Sequence, residues 1–168
     1  MRSLLVRRAG AGATSPCRVR PVDYAPLRRE EPTMFKVKYH TVAVHDLDEA
    51  VENHKARFGM EPLGEPAHNS IGNFRFVALG YNGETALHLI SPVDENGPIY
   101  RLMQDRVNPL NPHGEGIYQL VCEVDDPEAF AQQIEAGGGR VTRVPNSEAI
   151  WVHPLSSNFV LMELTKSA

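Results

Sequence analysis

Four polar side chains interrupt apolar, strand-like segments of the chain, and their types suit metal binding and acid–base chemistry. They are His40, His88, Gln119 and Glu163. Because alternate residues of a strand share a face, each lies among apolar neighbours and points into a core or a pocket. A carboxylate in such surroundings is costly unless it is hydrogen-bonded, protonated or bound to a metal ion. Two imidazoles, an amide oxygen and a carboxylate therefore form a plausible ligand set for one divalent metal ion.

An internal repeat relates these residues in pairs. The segments that start at His40 and at Gln119 align with a constant offset, 119 − 40 = 79 positions. His88 and Glu163 fall on the last strand-like run of each copy. Taken singly, each polar residue could be a hydrogen-bonded core or edge residue. Two copies related by a pseudo-twofold axis, however, would bring all four together.

The elements that must position these side chains follow the same order in both copies. A first strand ends in an aspartate that can cap the following helix, Asp46 in the first copy and Asp125 in the second, and the helix ends near a glycine. The later strands are predicted over residues 74–79 and 85–90 in the first copy, and over 140–144, 149–153 and 158–164 in the second. A short helix is expected at residues 99–106. The predicted fold class is α+β, with two tandem βαβββ modules forming a curved mixed sheet around a central cavity.

Composition and charge narrow the class of partner. The chain has 168 residues, 42% hydrophobic and 23% charged, enough for one domain with its own core. Residues 1–33 hold seven Arg and three acids. Residues 34–168 therefore contain 10 Lys and Arg and 18 Asp and Glu. A body with a charge of −8 argues against nucleic acid, and no apolar run reaches the roughly 20 residues of a membrane helix. A small-molecule substrate and a homodimer are expected.

The first 33 residues lack any periodic pattern and are rich in Arg, Ala, Gly and Pro. We expect a disordered leader or an upstream extension, because Met34 opens the first patterned segment. The Arg-rich, acid-poor composition is also typical of a mitochondrial transit peptide. Two cysteines, Cys17 and Cys122, give little support for a disulfide framework and fit a reducing compartment. The expected location is cytoplasmic, or the mitochondrial matrix if the leader is a transit peptide.

Residues 36–165 resemble the vicinal oxygen chelate superfamily of glyoxalases, methylmalonyl-CoA epimerases, extradiol-type dioxygenases and bleomycin-resistance proteins. The similar segments are residues 39–50, 87–92, 116–125, 153–154 and 160–164, and residues 97–102 are similar to the epimerases. The resemblance implies module one at residues 36–92, a connector at 93–115 and module two at 116–165. It also implies one divalent metal ion, Co, Mn, Ni, Zn or Fe, held by His40, His88, Gln119 and Glu163.

The chain departs from the epimerase pattern in two respects. Epimerases of this family have His, Gln or Glu, His and Glu in chain order, whereas here His88 and Gln119 exchange the second and third types. The epimerases also place a second acidic base before the third strand, where this chain reads residues 69–74 without a carboxylate. Epimerisation needs proton removal on one face and return on the other, so His68 is the remaining candidate for the second base.

Three functions remain open. The first is a metal-dependent isomerase or lyase of the glyoxalase or epimerase type, which removes a proton next to a chelated carbonyl of a small acyl or 2-oxo substrate. Glu163 would be both ligand and catalytic base. The second is a non-catalytic ligand-binding protein of the resistance type. The third is an Fe(II) ring-cleaving or α-keto-acid dioxygenase, which Gln119 disfavours because that class uses a histidine there.

Further residues could contribute to a ligand site. The arginines that could hold a carboxylate or phosphate at its rim are Arg75, Arg101 and Arg106, and the aromatic residues that could line it are Tyr39, Phe74, Phe76, Tyr118 and Trp151. Each has an ordinary alternative, solvation for the arginines and core packing for the aromatic rings.

Overall fold

The structure, a computed structural model, describes residues 34–143, 145 and 147–167. The predicted leader at residues 1–33 lies outside these ranges. The strands are β1 (Phe35–Ala43), β2 (Glu61–Pro62), β3 (Ala67–Asn69), β4 (Phe74–Tyr81), β5 (Glu84–Pro92), β6 (Gly116–Val124), β7 (Val141–Arg143), β8 (Ile150–Val152) and β9 (Leu161–Lys166). The α-helices are α1 (Leu47–Phe58), α2 (Pro98–Arg106) and α3 (Pro127–Ala136), and a 3₁₀ turn spans Pro154–Ser156. None of these helices has the length and apolar character needed to cross a membrane.

The nine strands form one mixed sheet in the order β2-β4-β5-β1-β6-β9-β8-β7, with β3 beside β4. β1 pairs in parallel with β5, and β6 pairs in parallel with β9. The antiparallel pair β1 and β6 joins the two halves at the centre. Each half therefore has its first and last strands adjacent, and the predicted α+β fold of two repeated modules in a curved sheet is confirmed.

Helices α1 and α3 cover one face of the sheet. Under α1 lie Leu47, Val77, Leu79, Leu87 and Leu89, with Val42 and Val44 beside them. Under α3 lie Cys122, Val124, Ala131, Ile150, Val152 and Leu164, with Leu120 and Met162 beside them. The alternation of these residues along their strands defines the helix-facing side of the sheet. The opposite side is therefore the one available to a cavity.

Helix α2 covers one end of that opposite side. Its Ile99 and Met103 pack on Ala43 of β1 and Ile90 of β5. The close approach depends on Gly114, whose φ is +65°, because a Cβ there would collide with the Met103 carbonyl oxygen. No other helix of the described residues covers the rest of this face.

The helix caps differ from the prediction in one detail. Asp46 accepts a hydrogen bond from the Glu49 amide and caps α1, as expected. The cap of α3 is Asp126, whereas Asp125 accepts from the Met34 amide. The two caps are 126 − 46 = 80 positions apart. The structural repeat is therefore one residue longer than the repeat read from the sequence.

The last strand also begins later than predicted, at Leu161 rather than residue 158. Asn158 and Phe159 adopt the left-handed conformation, with φ of 52° and 67°. The chain therefore turns sharply after the 3₁₀ turn before it can enter the sheet.

Candidate active site

Glu163 and Gln119 form the polar centre of a cavity of about 470 Å³ on the side away from α1 and α3. Glu163 lies on β9 between Met162 and Leu164, which both face α3, so its own side chain points to the cavity. The Gln119 amide Nε2 donates to Glu163 Oε2 at 2.7 Å. This hydrogen bond offsets part of the cost of placing a carboxylate against apolar walls, and it fixes the direction of the carboxyl group.

The walls of this cavity are mainly apolar and aromatic. They include Phe74, Ile90, Tyr118, Trp151 and Leu161, and Asn69 and Ser147 add polar groups. Phe74, Tyr118 and Trp151 thus line the cavity, which was one of the two roles considered for them. A mostly apolar cavity with a few oriented polar groups is the usual form of a small-molecule site.

His88 of β5 lies on the same face of the sheet as Gln119, two strands away from it. Its Cα is paired with that of Thr41, which is paired in turn with Gln119 across the centre of the sheet. The imidazole stacks on the Tyr39 ring with centroids 4.2 Å apart. Burial lowers the pKa of His88, so the ring is neutral at physiological pH and can accept a hydrogen bond or a proton.

Tyr39 is a site residue that the sequence singled out only as an aromatic wall. Burial raises the pKa of its phenol, and the negative charge of Glu163 raises it further. The hydroxyl therefore keeps its proton and can act as a donor. No described side chain takes part in a hydrogen bond with it, which leaves that proton available to a bound molecule.

The structure does not bring His40 to the other three predicted ligands. The Cα partners of His40 are Leu87 on β5 and Leu120 on β6, and both leucines belong to the helix-facing side. His40 does share a face with Val42 and Val44, as predicted, but that face packs against α1.

The cause of this error is the repeat offset. The helix caps require an offset of 80 rather than 79, and this offset places Gln119 in register with position 119 − 80 = 39. The residue of β1 that lies on the cavity side of the sheet is consequently Tyr39. The missed signal was the capping aspartate, because Asp126 rather than Asp125 precedes Pro127, a residue favoured in the first turn of a helix.

The cavity-facing donors do not match the metal site predicted from the sequence. With His40 on the other side, the nitrogen and carboxylate donors that remain are His88 and Glu163, supplemented by the oxygens of Gln119 and Tyr39. Within the described part of the chain, no group of three or more His, Cys, Asp and Glu side chains is arranged to hold a metal ion. Tight sites for Zn and Fe normally use three or four such ligands.

The other sequence candidates take different positions. Arg75 pairs with Asp48 of α1 at 3.3 Å and does not line the cavity. His68 is exposed and contacts Asn73 Oδ1 through Nε2 at 3.2 Å, so it is not placed as a second base. Arg106 lines a neighbouring cavity, whereas Arg101 of the same helix is exposed and lines neither cavity.

Comparison with known proteins gives a family match over most of the described chain. Residues 40–150 match the family model described as the glyoxalase/bleomycin resistance protein/dioxygenase superfamily. No curated protein sequence matches the chain.

Solved structures give the same result. The chain is similar to methylmalonyl-CoA epimerase from Mycobacterium tuberculosis, with 28% identity and a TM-score of 0.63 over 79% of this chain and 88% of that one. It is similar to a variant of the Streptomyces coelicolor methylmalonyl-CoA epimerase in complex with 2-nitronate-propionyl-CoA, with 26% identity and a TM-score of 0.63 over 79% and 94%. A hypothetical protein from Bacillus halodurans shares the fold, with 21% identity and a TM-score of 0.66 over 80% and 95%.

Proposed function

Because this chain belongs to the glyoxalase/bleomycin resistance protein/dioxygenase superfamily, we propose that it is an enzyme that moves a proton next to the carbonyl of a small acyl compound. The observation that carries this proposal is the Glu163 carboxylate, which faces an apolar cavity and is oriented by Gln119. Similarity to methylmalonyl-CoA epimerases supports an acyl thioester as the substrate class.

Glu163 is the proposed base. Its Oε2 is occupied by the Gln119 amide, so Oε1 is the oxygen left to take the proton from the substrate carbon. The carboxyl group cannot rotate without losing that hydrogen bond, which keeps the accepting oxygen aimed into the cavity. Such fixed orientation lowers the barrier because the base need not be repositioned during the reaction.

Tyr39 is the proposed hydrogen-bond donor to the carbonyl oxygen, and His88 is the proposed group that returns a proton to the substrate carbon. As the proton leaves carbon, negative charge develops on the carbonyl oxygen, and the phenol of Tyr39 can donate a hydrogen bond to it. Neutral His88, stacked on the same ring, is a second group able to exchange a proton. Together with Glu163 it provides the two acid–base groups that epimerisation requires.

Members of this superfamily typically bind a divalent metal ion, and the sequence predicted one here. The donors that the structure turns towards the cavity do not supply the predicted set, so no step of this proposal passes through a metal ion.

Proton exchange with solvent tests the proposed function. The protein is incubated in D₂O with methylmalonyl-CoA, propionyl-CoA or the glutathione hemithioacetal of methylglyoxal, and the signal of the hydrogen next to the carbonyl is followed by ¹H NMR. We expect catalysed loss of that signal for a thioester. Absence of catalysed exchange with all three compounds would contradict the proposal.

A second function is favoured by the position of His40. Loss of one predicted ligand from the cavity suits a protein that binds a small molecule without transforming it, as resistance-type members do. Saturable binding of a thioester together with no proton exchange would support this alternative.

A further inference from the structure

A second cavity adjoins the one that holds Glu163. It has a volume of about 390 Å³, and we call it the side cavity. Tyr118 and Leu161 line both cavities, so the two share a wall. The remaining walls of the side cavity come from α2 and from the turn before β9: Pro98, Leu102, Arg106, Pro154 and Phe159.

Arg106 is the charged residue of the side cavity. Its Nη1 donates to the Ile117 carbonyl oxygen at 2.7 Å, which anchors the guanidinium at the start of β6. In the described ranges it forms no ion pair, whereas Arg75 pairs with Asp48 and Arg143 pairs with Glu128.

The charge of Arg106 reaches the shared wall. Burial raises the pKa of Tyr118, and the positive charge of Arg106 acts in the opposite direction. The guanidinium is thus electrostatically coupled to a residue that both cavities contact. Residues 34–168 carry a net charge of −8, and the electrostatic field of such a domain repels anions. The positive charge of Arg106 makes the side cavity a place where an anion is attracted instead.

We propose that the side cavity receives the distal part of an elongated acyl substrate, whose anionic group pairs with Arg106. This inference rests on the proposed function, because the reacting end of the same molecule lies beside Glu163. The apolar walls contact the chain of the substrate, and the guanidinium selects a phosphate or carboxylate at its other end. Arg106 is then a specificity residue that contacts substrate away from the reacting carbon.

Trp151 makes binding measurable, since it is the only tryptophan of the chain and lines the main cavity. Its fluorescence is titrated with three probes in the full-length protein. Propionyl-CoA carries phosphates, glutaryl-pantetheine carries only a carboxylate at the far end of its acyl chain, and propionyl-pantetheine is neutral. The variants are Arg106→Gln, which removes the charge but keeps a donor for Ile117, and the control Arg101→Gln on the same helix.

We expect Arg106→Gln to raise the Kd of an anionic probe roughly tenfold relative to the wild type. The Kd of the neutral probe should stay within about twofold of the wild-type value. A loss confined to propionyl-CoA identifies the phosphate as the anion, and a loss with glutaryl-pantetheine identifies the carboxylate. Arg101→Gln should match the wild type.

Three results would overturn the inference: equal affinities in the Arg106 and Arg101 variants, an equal loss for the neutral probe, or no binding of any probe to the wild type. If Arg106→Gln unfolds at a lower temperature than the wild type, Arg106→Lys is measured instead. This variant keeps the positive charge, so it should retain the preference for the anionic probe. Proton exchange is measured separately in the same variants. Unchanged anion affinity with intact exchange overturns only the side-cavity inference, whereas selective binding without exchange overturns only the proposed function.

Discussion

At the residue scale, one position on β1 decides the character of the site. Tyr39 and His40 are adjacent, and consecutive strand residues point to opposite faces, so an error of one position exchanges a phenol for an imidazole. The structure places the phenol beside His88 and the imidazole on the side of α1. A predicted metal site thereby becomes a site with a neutral hydrogen-bond donor.

Substituting Tyr39→His should create the missing metal ligand. The new imidazole would join His88 and Glu163 on the cavity face, and three such ligands suit a divalent ion. We expect Co²⁺ to bind at least roughly tenfold more tightly than to the wild type, measured by calorimetry and visible absorption. His40→Ala is the control and should leave Co²⁺ binding unchanged. Loss of metal in the His40 variant would show that the face assignment is incorrect.

His88 should make stability fall at acid pH. Its pKa is lowered in the folded protein, whereas the unfolded chain binds a proton near pH 6.5. The unfolded state therefore holds more protons as the pH drops below that value, and the free energy of unfolding decreases. The variant His88→Phe keeps an aromatic ring on Tyr39, and urea unfolding from pH 7.5 to 5 should show a shallower decline. His68→Phe, at an exposed site, should keep the wild-type slope. Parallel curves for wild type and His88→Phe would contradict this assignment.

At the scale of elements, local patterns predicted most strands and helices. The Asn82-Gly83 pair, a sequence typical of tight turns between strands, joins β4 to β5, and Asn82 has a φ of 52°. Faces were harder to assign, because alternation along a strand has two solutions and only the packing of α1 selects one. The short strands β2 and β3 had no signal of their own, since they exist through pairing with β4.

Helix α2 should depend on Gly114. An added Cβ would collide with the Met103 carbonyl, and the φ of +65° disfavours any other residue. We expect Gly114→Ala to lower the free energy of unfolding by about 2 kcal/mol or more and to weaken thioester binding, because α2 borders the side cavity. Gly64→Ala, where a Cβ meets nothing within 4 Å, should be nearly neutral. Equal stability of the two variants in urea titrations would contradict the role given to Gly114.

At the scale of the whole molecule, the repeat explains both what the sequence predicted and what it missed. The contact between Gln119 and Glu163 follows from β6 and β9, the first and last strands of one module, lying side by side. The same symmetry places the first strand of the other module so that Tyr39 corresponds to Gln119. A one-residue difference in offset leaves the fold unchanged but alters the chemistry of the cavity.

The homodimer expected from the sequence stays a prediction. Sedimentation velocity of the full chain should give a mass of about twice 18.6 kDa. A species of a single chain mass over the micromolar range would contradict it.

The central claim is that Glu163 removes the proton, and solvent exchange measured in a matched pair of variants tests it most directly. Glu163→Gln preserves the size and hydrogen-bonding capacity of the side chain while removing the base, and Glu84→Gln makes the same change at an exposed site on β5. With methylmalonyl-CoA in D₂O, we predict exchange at least roughly 100-fold slower in Glu163→Gln and at the wild-type rate in Glu84→Gln. Wild-type exchange in folded, thioester-binding Glu163→Gln would contradict the account.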